Sequence, residues 1–471
     1  MSHRSHHTTA SLESQLQQSI DSGWQELVGR LPIELEAQAK ERRAWVRKRA
    51  FSSASDLLRG LLAYVLCVGS FRQLGIWAVL IGLCNISETA WRKALRRAHP
   101  WLVWLLSQLL SGPAVCHADV PEGSRVLLID ASRLREVGGS GDDWRVHLAY
   151  DLLAGHMAQV SVTDEHVAES LSHFAIRPGD ITVHDMGYGY RKHFAWVLQR
   201  AGHVVGRIYP QTFPLLDEHD QPFAVAHWLR TLPEGTHSRQ VRFVSGKHTF
   251  CVRLLARSLS TEAAARARAA KRKKAAKDGR QLSAESELVA GWILLITSLP
   301  KEPWSDEVVL ALYRARWQIE LVFKRMKQIL RLGLLRSRRE VGSQATIVLW
   351  LIAWALQEQA MQPVRHVLEP VAQDLSEALT LSPSHQNAPW RAPVALSSWR
   401  LAALGGQSVR LWVQGHWTLA RLLECWPLLQ RFLRGSPRKR QQQEQAIRAL
   451  LSIVMGDALS LDGLFFDCSS A

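Results

Sequence analysis

The chain has 471 residues, 47% of them apolar, which suits two or three folded domains and excludes a mainly disordered protein. Its six cysteines (Cys67, Cys84, Cys116, Cys251, Cys425 and Cys468) contain no CxxC pair, which excludes a disulfide scaffold and the usual structural zinc modules and suits a reducing cytoplasm. The formal charge of +16, from 58 Lys and Arg against 42 Asp and Glu, points towards a polyanionic partner.

Residues 1–118 read as helical. Leu12–Leu31 and Ile33–Arg49 carry helix spacing, the second ending in Arg42, Arg43, Arg47, Lys48 and Arg49. The apolar runs Gly60–Ser70 and Leu74–Cys84 are split by Phe71-Arg72-Gln73, each too short for the roughly 20 residues of a membrane span. The first ten residues, MSHRSHHTTA, lack the apolar core of a signal peptide. Phe71–Ile81 is a helix, Gly82–Ile86 a short connection, and Ser87 caps a second helix, Glu88–His99, that presents Arg92, Lys93, Arg96 and Arg97. Two helices around a tight turn, the second basic, match a helix-turn-helix in which Arg92 and Arg96 contact DNA. An ordinary helical hairpin with a solvated face has the same pattern.

From residue 119 the pattern changes to α/β. Val126–Ile129 is a β-run ending on Asp130; Trp144–Leu152 and His156–Thr163 are strands; Val167–Phe174 is a short helix. Ile181–His184 is a strand ending on Asp185, Arg191–Ala201 a helix and Val204–Ile208 a strand. Residues 211–300 are irregular and β-rich, with runs at Phe223–Leu229, Gln240–Val244, Thr249–Ala256 and Trp292–Thr297. Within them Arg266–Arg280 is strongly basic and includes Lys271 and Lys273, a solvated charged face or a nucleic-acid contact. Residues 304–330 form one strong helix, 344–362 another, and the rest is helical, with a Pro-rich break near Leu381–Pro393 and a basic cluster at Arg434–Arg440.

Three features can carry chemistry. A buried-type strand ending on a carboxylate aims it off the sheet edge, and Asp130 (VLLIDAS) and Asp185 (ITVHDMGYGYR) both do so. Asp also ends strands merely as a turn former. In YRARWQIELVFKRMK, at 100° per residue, Tyr313, Arg316, Glu320 and Lys327 share an arc of about 60°. Ile319, Val322, Met326 and Ile329 lie on the opposite, core-facing side. Any surface helix has such a polar stripe.

The spacing Tyr-x2-Arg-x3-Glu-x6-Lys, together with IDAS and HDMGYGYR, resembles the DDE transposases of bacterial insertion sequences, in the subgroup named for that Tyr-Arg-Glu-Lys signature. The resemblance spans about residues 40–365 and includes DWRVHLAYDLLAGHMAQVSVTDEHVAESL and WILLITSLP. It implies an α/β fold: an RNase H-like catalytic core, a mixed sheet flanked by helices, interrupted by a β-rich insertion and bracketed by helical N- and C-terminal regions. The implied divisions are 1–118 for DNA-end binding, 119–210 and 301–365 for the core, 211–300 for the insertion and 366–471 for the C-terminal region. The catalytic and metal-binding residues would be Asp130, Asp185 and Glu320, holding two Mg2+ ions, with Mn2+ able to substitute. Tyr313, Arg316 and Lys327 would contact phosphate, and Trp292 would receive a base displaced as a hairpin forms at the transposon end; its rival role is a buried strand aromatic. Trp317 reads as packing. Met186 stands where relatives often carry Arg.

The implied activity is metal-dependent cleavage at terminal inverted repeats and strand transfer into target DNA. The implied setting is a homodimer on double-stranded DNA, off the membrane, in the bacterial cytoplasm and nucleoid. Two alternatives are a domesticated, non-catalytic DNA-binding protein with the same fold and a general RNase H-like nuclease; three intact acidic positions argue against the first, and the basic N-terminal region against the second.

Overall fold

The computed structural model describes residues 23–46, 50–111, 125–136, 143–330, 340–368 and 395–415, with a few isolated positions beyond. The expected helix over residues 12–22, the arginines at 47–49, the break near 381–393 and most of the 434–440 cluster lie outside the described residues.

Among the described residues, the helices α1 (Leu35–Glu41), α2 (Ala54–Ala63), α3 (Phe71–Leu80) and α4 (Glu88–Ser111) precede the sheet. The helix expected to reach Arg49 stops at Glu41, because Arg43 turns left-handed (φ 56°) and the Trp45 indole is tied to the Phe51 carbonyl at 3.1 Å. Ser87 caps α4 as its sequence predicts, its hydroxyl accepting from the Ala90 amide at 3.2 Å. That helix does not end at His99 but continues through Pro100. The proline sits on the exposed side, while Trp91, Leu95, Trp101, Leu102 and Leu105 bury the opposite face.

The centre is one mixed sheet of eight strands: β1 (Val126–Leu134), β2 (Trp144–Asp151), β3 (His156–Asp164), β4 (Ile181–His184), β5 (His203–Arg207), β6 (Thr236–Ser245), β7 (His248–Ser258) and β8 (Trp292–Thr297). Their spatial order is β3-β2-β1-β4-β5-β8-β7-β6. The first three strands pair antiparallel, β4 and β5 run parallel to β1, and β8 runs antiparallel to β5. The β-rich residues expected as an insertion therefore extend the sheet rather than stand apart from it. Helices α5 (Arg191–Leu198), α6 (Val225–Thr231), α7 (Thr261–Lys277) and α8 (Ala284–Ala290) lie between these strands in sequence.

Two expectations here are corrected. Residues 223–229 hold a helix, α6, not a strand; Val225 and Leu229 bury one face at a spacing of four. Val167–Phe174 is not a helix beyond the single tight turn Leu171–His173, because Asp164 Oδ1 accepts from the His166 and Val167 amides and Ser170 from Ser172.

The expected single helix 304–330 is two: α9 (Asp306–Ala315) and α10 (Trp317–Ile329), joined at Arg316. They are followed by α11 (Glu340–Leu368) and α12 (Ser398–Gln414).

Alternation along β1 divides the core. Val126 and Leu128 join a large cluster that includes α9–α12 and the N-terminal helices; Leu127 and Ile129 join a smaller one with α5 and α6. The N-terminal helices thus share the main core, through Trp91, Trp101, Leu105, Leu351 and Trp354. Trp24, Trp91, Trp101 and Trp412 are among the largest fully buried side chains, so part of the tryptophan surplus is core volume. Among the described residues no single helix is long and apolar enough to cross a membrane.

Candidate active site

Strand register brings the two aspartates together. Ile129 is level with His184 across the parallel β1–β4 pair, so Asp130 and Asp185 follow side by side at one edge of the sheet. Asp130 alternates onto the face covered by α10, which carries Glu320. Two close approaches hold this edge. A Cβ on Gly206, paired with His184, would overlap the His184 and Phe194 rings, and one on Gly189 would overlap the Arg207 carbonyl.

The polar stripe of the α9–α10 pair faces this edge. Tyr313 Oη donates to Asp185 Oδ1 at 2.9 Å. Arg316 Nη2 donates to Glu320 Oε1 at 2.6 Å, and its Nη1 lies 3.9 Å from Asp130 Oδ2. Lys327 Nζ donates to the Arg133 carbonyl at 3.3 Å. An open cavity of about 340 Å3 is lined by Asp130, Ser132, Glu320, Lys324 and Lys327.

The charges are unevenly compensated. Burial pushes the Asp130 carboxyl up to about 6; the Ala131 amide and Arg316 oppose this, while Glu320 and Glu169 add to it. Asp185 is also buried, but Arg316, the Met186 amide, the Tyr313 hydroxyl and Arg207 together hold it below the usual carboxylate range. Arg316, despite its burial, is held more firmly cationic by Asp185 and Glu320.

Among the described residues no three His, Cys, Asp or Glu side chains close into a ready-made metal cage. The three carboxylates gather instead around the Arg316 guanidinium. All-oxygen donors clustered on a cation, one of them poorly compensated, are a set that suits a hard divalent ion.

The remaining predicted residues are more dispersed. Trp292 opens β8, half-buried, with its ring 6.5 Å from that of His237. Because Arg207 pairs with Leu295, Trp292 lies roughly 10 Å beyond the Arg207 level, at the same sheet edge as the carboxylates. Lys271 and Lys273 ride on α7, Lys271 over the Tyr209 ring at 4.5 Å and Lys273 exposed. Arg92 is exposed on α4, paired with Glu88 and 5.8 Å from the Phe71 ring; Arg96 is half-buried.

Two charged neighbours escaped sequence reasoning. Arg207 ends β5 as His184 ends β4, a strand-end signal like that of the aspartates. Glu169, whose carboxylate fills the space a Cβ on Gly187 would need, carries no local signal. Trp317, expected to pack, is 38% exposed beside Arg316.

The family model described as a transposase DDE domain matches residues 121–356. The transposase for insertion sequence element IS421 of Escherichia coli is 32% identical over 341 residues, covering 70% of this chain and 91% of the relative. The chain belongs to the DDE transposases of bacterial insertion sequences. InsL of insertion sequence element IS186A of Escherichia coli K12 has the same identity and coverage over 340 residues. The transposase for IS231F of Bacillus thuringiensis is more distant, 25% identical over 257 residues, covering 50% of this chain and 53% of the relative. The mixed sheet with Asp130 on its first strand and Asp185 just past its fourth is the RNase H-like core of this transposase, and DNA is its substrate. The family uses divalent metal ions.

Proposed function

We propose that this transposase cuts at terminal inverted repeats and joins the freed 3′ ends to target DNA, through a hairpin at the transposon end. Asp130, Asp185 and Glu320 are its catalytic carboxylates. The observation that carries this reading is their convergence from β1, the end of β4 and α10 on one cation, Arg316. The site suits two Mg2+ ions, with Mn2+ as a substitute, which when bound activate the attacking oxygen and stabilise the leaving one.

The chain's own groups do the rest. Tyr313 orients Asp185 by its hydrogen bond. Arg316 and Lys327 bind phosphate of the cut strand, Arg316 exchanging its carboxylate partners for phosphate oxygens when DNA arrives. Arg207, level with Asp185, adds a further phosphate contact. Trp292 supplies a half-buried indole face for a displaced base, at the same sheet edge but packed against the core on the face opposite α10. Lys271 and Lys273 on α7 track the backbone beyond it, and Arg92 and Arg96 on α4 contact the transposon end from the region 1–118. The core is assigned to 119–210 and 301–365, the β-rich residues 211–300 to end recognition, and 366–471 to dimer or target contacts. The working form is a homodimer joining two ends in the bacterial nucleoid.

The test uses the DNA that flanks the gene. Purified protein is mixed with duplexes carrying its short inverted repeats, with Mg2+ or with EDTA. A nick at the repeat terminus leaving a 3′-hydroxyl, seen only with metal, supports the proposal. Binding without any nick favours the non-catalytic alternative.

A further inference from the structure

Residues 165–170 join β3 to the tight turn Leu171–His173, and side chains hold this loop on both sides of Glu169. Arg145 Nη1 donates to the Val167 carbonyl at 2.5 Å, and His173 Nε2 donates to the Ala168 carbonyl at 3.1 Å. The Ser170 hydroxyl accepts from the Ser172 amide at 3.2 Å. The His147 ring backs His173 at 4.3 Å and is itself anchored at Thr163. An arginine and two histidines thus fix the backbone around one acidic residue.

Glu169 reaches the catalytic carboxylates around the end of β4. That strand stops at His184, and the turn after it carries Gly187. The Glu169 carboxylate occupies the space a side chain at Gly187 would take, two residues from Asp185. Leu171 and Tyr188 pack in the smaller core, on the face opposite α10, so Glu169 arrives from that face and Glu320 from the other. Asp130 is near enough to feel the Glu169 charge.

This charge is not neutralised within the described residues. The half-buried Glu169 side chain makes no hydrogen bond or ion pair with any of them. Neighbouring carboxylates in a partly buried site repel one another unless a cation joins them. A second observation points to a ligand at the same place. Tyr188 is 1% exposed, and its buried hydroxyl has no hydrogen-bond partner. After burial, the charges of Glu169 and Asp130 do most to keep this phenol protonated, so the hydroxyl lies within reach of both. It bonds to neither, and a buried donor without an acceptor is costly unless a ligand between them completes it.

We propose that Glu169 is a fourth metal-binding carboxylate, which holds the divalent ions together with Asp130, Asp185 and Glu320. This rests on the function proposed above. A further hard oxygen donor keeps the set suited to Mg2+ and Mn2+. Arg145, His173 and Gly187 act as positioning residues for Glu169.

The test measures bound metal directly. Mn2+ is titrated into the full chain on an end duplex that stops at the cleavage point, with the duplex alone as blank, and free Mn2+ is read by electron paramagnetic resonance. E169Q should weaken Mn2+ binding by about tenfold or more. E169D, which keeps the charge and shortens the reach, should do the same, so one variant survives if the other misfolds. Without metal, E169Q should unfold at or above the wild-type midpoint, because it removes a repelling charge; a merely structural role predicts a lower midpoint. Unchanged Mn2+ affinity in both variants, or a loss seen only together with a lowered midpoint, overturns the proposal. D130N separates this inference from the catalytic reading. If D130N loses Mn2+ and E169Q keeps it, Glu169 is excluded and the three-carboxylate site stands. If neither loses it, the site itself falls.

Discussion

At the scale of single residues, the site is a balance of charges held by a few contacts. Tyr313 makes one hydrogen bond to the Asp185 carboxylate at 2.9 Å. Such a bond to a charged group contributes about 1.5–3 kcal/mol. Tyr313→Phe should therefore lower the denaturation midpoint, by up to about that much free energy, and lower end cleavage as Asp185 loses its orientation; equal cleavage rates would remove Tyr313 from the site. A separate residue-scale effect lies in the histidines. Burial, with help from His173 and Arg145, holds His147 down to about 3; its ring lies 4.3 Å from that of His173, and its Nε2 is 3.0 Å from the Thr163 hydroxyl. A lowered folded value means that the unfolded chain takes up the proton first. The stability His147 contributes is whole above about 6.5 and is lost as pH falls from there towards 3. Burial shifts His99, His193 and His203 in the same direction. The urea midpoint should drop from pH 7.5 to pH 5.5, and His147→Gln should narrow that drop.

Elements position these residues through close backbone approach. β4 and β5 come near enough that the His184 and Phe194 rings occupy the space above Gly206. Gly206→Ala should cost about 1–3 kcal/mol of stability, read as a lower denaturation midpoint, and should reduce cleavage by shifting Asp185; a neutral result would mean that the strands separate freely. Much of this edge was legible in the sequence. The apolar runs before Asp130 and Asp185, and the 100° arithmetic of the Tyr313–Lys327 helix, depend on local periodicity, which a sequence records; the strand expected to end on Asp130 instead runs on to Leu134, because β2 goes on pairing with it. The break at Arg316 leaves the stripe on one side because the joint keeps helical backbone angles. What escaped was decided by distant partners. Residues 223–229 have strand-forming side chains, but burial of Val225 and Leu229 selects a helix. Pro100 reads as a stop, yet the buried tryptophans on either side carry α4 past it. That β8 would join β5, and so bring Trp292 to the edge that carries the carboxylates, depends on pairing between strands far apart in sequence.

Across the whole molecule, a formal charge of +16 accompanies an acidic site. Arg92 and Arg96 lie on α4, Lys271 and Lys273 on α7, and Arg207, Arg316 and Lys327 near the carboxylates. Cations gathered along a DNA path release counterions on binding, so the affinity for end duplexes should fall steeply and log-linearly with salt. A flat salt dependence would show that most of the charge is mere solvated surface. The central claim is that Asp130, Asp185 and Glu320 perform the cutting, and it is tested most directly by Mg2+-dependent nicking of the element's own ends by wild type, Asp130→Asn and Glu320→Gln. Both variants should bind the ends with affinity close to wild type while nicking falls at least about a thousandfold. Variants that cut as fast as wild type would contradict the assignment.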